Sequence, residues 1–423
     1  ALVVALTLGA ARTAWYAVGP LSEDARVTAQ VQWLNREIGQ DAAAERMQQL
    51  FPEGAAFTLS LTAIATSRAA DGIQGPARRS LVAEVERRNV ELRTDAVTAT
   101  FPAAGGLDHG VFLAAWQLHT QLALARLTTS PSDVQTAVEG ARRILAAVEE
   151  GDSPFLEAYP GQSWPVDTVV AMAAVAEVDA AFGVPGAREG LARWVERARP
   201  LTVDGLLPHR TTPLGMPLDG PRGSSSSLIL AFLPSIDAQW SGQMWPVFRD
   251  GFVTRVAGAV GVREHPVGSD QPGDVDSGPL VAGVSLSVST VTVAAARAHG
   301  DLTLASDLVR QAEVAGVPVD VAGERPFPLM LLQDAPQPAA LQARKDPGDV
   351  RVHRAGRRRR EEGDGRPDHL LAVVQPDGVV ARREQEPVPA RPVRIIGAVT
   401  QLVDVHGGQH VGDDLGWIVE VPI

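Results

Sequence analysis

One pattern recurs along this chain and restricts its fold more than any other: a short polar loop rich in Gly and Pro, followed by a long apolar run rich in small residues. The loops begin at Phe51-Pro-Glu-Gly, Gly106-Leu-Asp-His-Gly, Tyr159-Pro-Gly-Gln-Ser-Trp-Pro, Gly220-Pro-Arg-Gly-Ser, Gln271-Pro-Gly-Asp-Val-Asp-Ser-Gly-Pro and Glu324-Arg-Pro-Phe-Pro. A spacing of roughly 50–60 residues marks a repeated supersecondary unit. Apolar runs follow at 55–66, 111–124, 168–181 and 280–296, and charged amphipathic stretches lie at 76–99, 132–150, 187–199 and 302–315. A helix that is apolar on every side must be surrounded by other helices, whereas an amphipathic one keeps a wet face. Six such pairs predict an all-α fold, an (α/α)6 toroid with the apolar helices inside. Strand signals are scarce before residue 340, so no sheet is expected there.

Parallel inner helices would bring their N-termini, and the six polar loops, to one mouth. Unpaired N–H groups and helix dipoles would face it. The side chains gathered there would be Glu53, Asp108, His109, Tyr159, Gln162, Trp164, Asp167, Arg222, Ser224 to Ser227, Asp274 and Asp276. Asp274 and Asp276 are the sharpest local signal, because crowded carboxylates push one pKa towards a useful range. The plainer reading is capping of the run at 280–296 by Asp276 or Ser277, with Pro279 in its first turn. Trp164 offers a flat apolar wall beside Tyr159 and Gln162. Asp167 occupies a cap-like place that also suits proton transfer. Asp108 and His109 form either an acid/base pair or a surface cap. Arg222 with the serines, Ser225 among them, reads as an anion site or as cap and packing.

Composition narrows the chemistry. The 423 residues carry no cysteine, which excludes thiolate metal sites and cysteine nucleophiles. A net charge of −12 argues against nucleic acid as a partner and leaves a small-molecule substrate. Phosphate-loop, dinucleotide and His-Glu-x-x-His motifs are missing, so neither a cofactor nor a metal is expected. Residues 1–20 form an apolar segment interrupted by Arg12, read as a signal remnant or membrane tether through 1–19, or else as a buried helix. A tether would place the body, residues 21–334, outside the cytoplasm.

Four segments together resemble the linalool dehydratase/isomerase family. They are Asp108-His-Gly-Val-Phe-Leu-Ala-Ala-Trp-Gln-Leu, Ala158-Tyr-Pro-Gly-Gln-Ser-Trp-Pro-Val-Asp167, the stretch from Arg222 to Asp237, and Gly273-Asp-Val-Asp-Ser-Gly-Pro-Leu with Ala298-His-Gly-Asp301. The resemblance implies an (α/α)6 toroid and cofactor-free dehydration and isomerisation of a small alcohol. It places the family's catalytic histidine at Asp108 or His109. Its two active-site cysteines fall at Ala158 and Asp167, of which only Asp167 can move a proton. Proton transfer is therefore expected from Asp167, His109, Asp108, Asp274 and Asp276. Substrate contacts are expected from Glu53, Tyr159, Gln162, Trp164, Arg222 and Ser225. Similar toroids serve as glycosidases and sugar epimerases, which use paired carboxylates, and a non-catalytic ligand-binding envelope protein is the third reading.

The last stretch differs in texture. Residues 341–423 hold 13 basic and 13 acidic residues, so the −12 belongs to the body. The inner helix starting at Pro328 loses its pattern at Ala335, and Lys345 is the sole lysine among 38 basic residues. Such arginine bias suits a GC-rich gene, in which an out-of-frame stretch can run long. Residues 335–423 are thus expected to be a frame-shifted tail, or a small β-rich appendage with strands near 370–374, 393–399 and 417–421.

Overall fold

The computed structural model describes residues 23–256 and 258–316. They form thirteen α-helices, two short 3-10 turns and a small antiparallel sheet. In order, the helices are α1 (Glu23–Asp41), α2 (Ala43–Leu50), α3 (Gly54–Ala69), α4 (Gly75–Glu91), α5 (Asp95–Thr98), α6 (Gly110–Thr128) and α7 (Pro131–Glu150). They continue with α8 (Pro165–Phe182), α9 (Ala187–Ala198), α10 (Gly223–Phe232), α11 (Ala238–Phe252), α12 (Leu286–Ala298) and α13 (Leu302–Gly316).

The alternation read from the sequence becomes two layers. Helices α3, α6, α8, α10 and α12 pack each against the next, and α4, α7, α9, α11 and α13 pack outside them. Inner helix α8 shows why: Val169 through Val175 are all buried without interruption, so no face is left for water. Outer helix α7 buries only the stripe Ala137, Val138, Ala141, Ile144, Leu145, Ala147 and Val148, the spacing of one helical face. Each fully buried Val or Leu contributes about 1.5–3 kcal/mol. Arg26 of α1 reaches Glu313 of α13 at 3.5 Å, bringing the first and last described helices together. The sixth inner helix expected from Pro328, the N-terminal segment 1–20 and the tail 335–423 lie outside the described residues.

Two expectations are corrected. A four-stranded sheet, ordered β1-β2-β4-β3 and antiparallel throughout, sits between α11 and α12. Its strands are β1 (Val253–Val256), β2 (Ala259–Arg263), β3 (Leu280–Val281) and β4 (Val284–Ser285). The β-branched residues on either side of Gly258, whose φ is 87°, form a hairpin. The apolar run at 280–296 is therefore not one helix. Residues 280–285 form the second hairpin, and α12 begins only at Leu286, capped by the Ser285 hydroxyl accepting from Val288 N–H. Neither Asp276 nor Ser277 caps it.

The loops at the inner helix starts touch through glycine. Gly110 has φ +68°, and a Cβ there would stand 2.1 Å from the Ala158 carbonyl oxygen. Gly223 leaves the same 2.1 Å clearance to the carbonyl of Arg263. A methyl group at Gly110 meets both an adverse φ and a backbone clash. Gly110→Ala is expected to cost at least about 2 kcal/mol, readable as a lowered urea midpoint. Wild-type stability in that variant would mean that the two loops do not touch.

Candidate functional site

Five loops that precede inner helices are stitched to one another. Val111 N–H of α6 donates to Glu157 O at 3.0 Å, and Thr211 N–H donates to Ser163 O at 2.9 Å. Gly223 N–H donates to Glu264 O at 2.8 Å. The Tyr159 hydroxyl donates to Glu53 Oε1 at 2.9 Å, and Arg222 Nη1 meets Asp274 Oδ2 at 2.7 Å. The starts of α3, α6, α8, α10 and α12 thus meet at one end of the helical array. Four of these helices, α3, α6, α8 and α10, have no side-chain cap.

Tyr159 is the hub on one side. Its ring stacks on Phe101 at 5.9 Å and meets Trp164 edge-on at 6.2 Å. Burial pushes the phenol far above its ordinary value, and Glu53, then Asp167 and Asp276, push it further. It remains a proton donor. The hydroxyl's bond to Glu53 joins loops more than a hundred residues apart, and the charges of Asp167 and Asp276 act on the same phenol.

Glu264 is the hub on the other side, and nothing in the sequence reading singled it out. It is wholly buried, at 0 % exposure. Its Oε2 accepts from Ser224 N–H at 3.0 Å and its Oε1 from the Ser224 hydroxyl at 2.9 Å. Burial pushes its pKa up, Asp274 and Asp276 add to the rise, and the two bonds from Ser224 oppose it; the result is about 8. A carboxyl group so placed keeps its proton at neutral pH.

The remaining expected residues fall as follows. Asp274 is engaged in its own loop: Oδ1 accepts from Asp276 N–H and Ser277 N–H, both at 3.1 Å, while Oδ2 holds Arg222. Asp276 is half-buried, and its charge reaches both Tyr159 and Glu264. Asp167 lies in the first turn of α8 rather than at its N-cap, which is Trp164. Gln162 closes a tight turn, its N–H donating to Tyr159 O at 2.8 Å. Asp108 is exposed. His109 takes the N-cap place of α6 without a capping bond, and its Nδ1 lies 2.9 Å from Phe101 O. Arg222 is tied to Asp274 and lies 3.7 Å from Asp219, so its charge is met within the protein.

Two serines of α10, Ser224 and Ser225, bond side chains outside the helix rather than capping it. Ser224 serves Glu264, and the Ser225 hydroxyl lies 2.6 Å from Nδ1 of His209. His209 and Ser225 are both buried. Asp219 is close by. Burial would raise its pKa, but the Arg210 hydrogen bond and charge, with Arg222 and His209, hold it below the usual carboxylate range.

Among the described residues no group of three or more His, Asp or Glu side chains has the geometry to hold a metal ion, and no helix is long and apolar enough to cross a membrane. A cleft of about 420 Å³ opens away from the carboxyl cluster, beside Arg249, Arg255, Thr303 and Asp307, and shares no residue with it. Comparison with protein-family models finds no match, and neither does comparison with curated proteins.

Proposed function

We propose that the chain is a cofactor-independent acid/base lyase or isomerase acting on a small uncharged alcohol at the mouth of an α/α toroid. The observation that carries this reading is Glu264, a carboxyl group kept protonated at neutral pH first by burial and then by the charges of Asp274 and Asp276. A protonated acid next to ionised ones is the pairing that general acid/base chemistry requires. Glu264 itself is buried, but the Ser224 hydroxyl that bonds it is half-buried and can relay the proton outward.

In a dehydration, Ser224 would pass a proton to the departing hydroxyl and be refilled from Glu264. Asp276 or Asp167 would remove the proton from the neighbouring carbon. Water leaves, a double bond forms, and the two carboxyl groups exchange roles until solvent resets them. Trp164 and Tyr159 would bound the apolar part of the substrate. An anionic substrate fits poorly, because Glu53, Asp167 and Asp276 surround Tyr159 while Arg222 is committed to Asp274. The resemblance to the linalool dehydratase/isomerase family points to the same reaction class.

The test is a screen of tertiary allylic alcohols beside simple glycosides, following product by mass spectrometry. Turnover of an alcohol that falls about 10–100-fold in Asp276→Asn supports the proposal. Turnover of glycosides alone would favour a carbohydrate-active toroid, and equal rates in both proteins would remove Asp276 from the chemistry.

A further inference from the structure

We infer that Ser225 and His209 form a nucleophile–base pair, giving the mouth a second activity: acyl transfer from neutral carboxylic esters. No Gly-x-Ser-x-Gly or ordered Ser/His/Asp motif announces this pair in the sequence. It is assembled by the fold, from the extended segment before α10 and the first turn of α10 itself. The Ser225 hydroxyl and His209 Nδ1 lie 2.6 Å apart, within reach for proton transfer. The side chains are 4 % and 5 % exposed, so the bond operates away from bulk water. Asp219, held by Arg210 at 2.6 Å, is close enough for its charge to favour a protonated His209.

The helix start offers the rest. N–H groups in the first turn of a helix have no intrahelical partner. Those of Gly223 and Ser224 are taken by the backbone and side chain of Glu264. The Ser225 N–H comes next and belongs to the same residue as the nucleophile, a place from which it could meet a developing oxyanion. Two more hydroxyls near the pair in sequence lack a partner. The hydroxyl of Ser226, wholly buried, and that of Thr211, 1 % exposed, have no hydrogen-bond partner. These residues adjoin the pair in sequence, one beside Ser225 and one two residues from His209. A buried hydroxyl left unpaired costs about 1–3 kcal/mol, and an ester's oxygens are acceptors that would relieve it.

In the reaction, Ser225 Oγ bonds to the carbonyl carbon while its proton passes to His209 Nδ1. The tetrahedral oxyanion collapses, the bond to the alcohol oxygen breaks, and the alcohol leaves with the proton from His209. Water repeats the sequence on the acyl-serine, releasing the acid and restoring the hydroxyl.

An alkyl fluorophosphonate tests this on the full-length chain without knowledge of the natural ester. Ser225 Oγ should displace fluoride from phosphorus, giving one adduct that tandem mass spectrometry maps to Ser225. The adduct should vanish in Ser225→Ala. It should form at least about 100-fold more slowly in His209→Asn, whose amide keeps a hydrogen bond but takes no proton. Circular dichroism establishes that each variant is folded. Should His209→Asn fail to fold, the wild-type result decides: a folded protein without an adduct on Ser225 overturns the inference. Equal labelling rates in wild type and folded His209→Asn overturn it as well.

Discussion

Glu264→Gln is expected to stabilise the protein at alkaline pH while removing its turnover. The two effects share one cause. The folded value of the Glu264 carboxyl, about 8, lies above the ordinary value of 4.5. Below pH 4.5 the group is protonated in both folded and unfolded chains and costs nothing. Between pH 4.5 and 8 the unfolded chain sheds the proton while the folded protein keeps it, so stability falls. Above pH 8 the loss is complete, at most about 4–5 kcal/mol by the size of the shift. Glutamine reproduces the protonated shape, accepting from Ser224 N–H and donating to its hydroxyl, without the pH-dependent loss. Urea titrations at pH 5 and pH 8.5 should therefore show a variant advantage that is small at the first and several kcal/mol at the second. Turnover should drop about 10²–10⁴-fold, the usual worth of a proton donor, and Ser224→Ala should match it by cutting the relay. A flat stability difference between the two pH values would mean that Glu264 is ionised, and the proton source would be lost with it.

The second large effect is expected at Tyr159. Phenylalanine keeps the stack on Phe101 and the edge contact with Trp164 and deletes only the hydroxyl that donates to Glu53. Glu53 is 7 % exposed, so a lost donor leaves part of a desolvated carboxyl group uncompensated, at about 1–3 kcal/mol. Glu53→Gln changes the same bond from the other end. The two substitutions should therefore be non-additive by more than about 0.5 kcal/mol in urea denaturation. Simple addition would show that the hydroxyl and the carboxyl group do not depend on each other.

The layered helices were legible because burial on all sides and burial on one side leave different residue periods. The expected run at 168–181 and the observed α8 (Pro165–Phe182) differ by three residues at one end and one at the other. The hairpin at Val253–Arg263 was also written locally, in β-branched alternation around Gly258, yet its small and apolar residues blend into the neighbouring helical composition. The late start of α12 was hidden because 280–296 carries no charge and no strong break, and only Gly283 at φ +78° and the Ser285 cap separate strand from helix. Polar side chains at apolar helix starts stand out in the sequence, and the fold joins two pairs of them, Tyr159 with Glu53 and Arg222 with Asp274. Glu264 and His209 do not share that signature. Each meets its partner, Ser224 for one and Ser225 for the other, only when folding brings it from 40 and 16 residues away. No local pattern encodes such a pairing.

The glycines at the first positions of α6 and α10 carry one more consequence. Because Gly110 and Gly223 let neighbouring loops meet backbone to backbone, the spacing of the inner helices is set at the loop roots, below the side chains proposed to do chemistry. The tips are free of that duty. Residues such as Asp108, Gln162 and Asp276 can be exchanged, lengthened or given new charges while the roots stay in register. For anyone redesigning this protein, that separates a part to be left alone from a part to be randomised: libraries confined to the tips, with both glycines retained, should yield mostly folded members with altered chemistry.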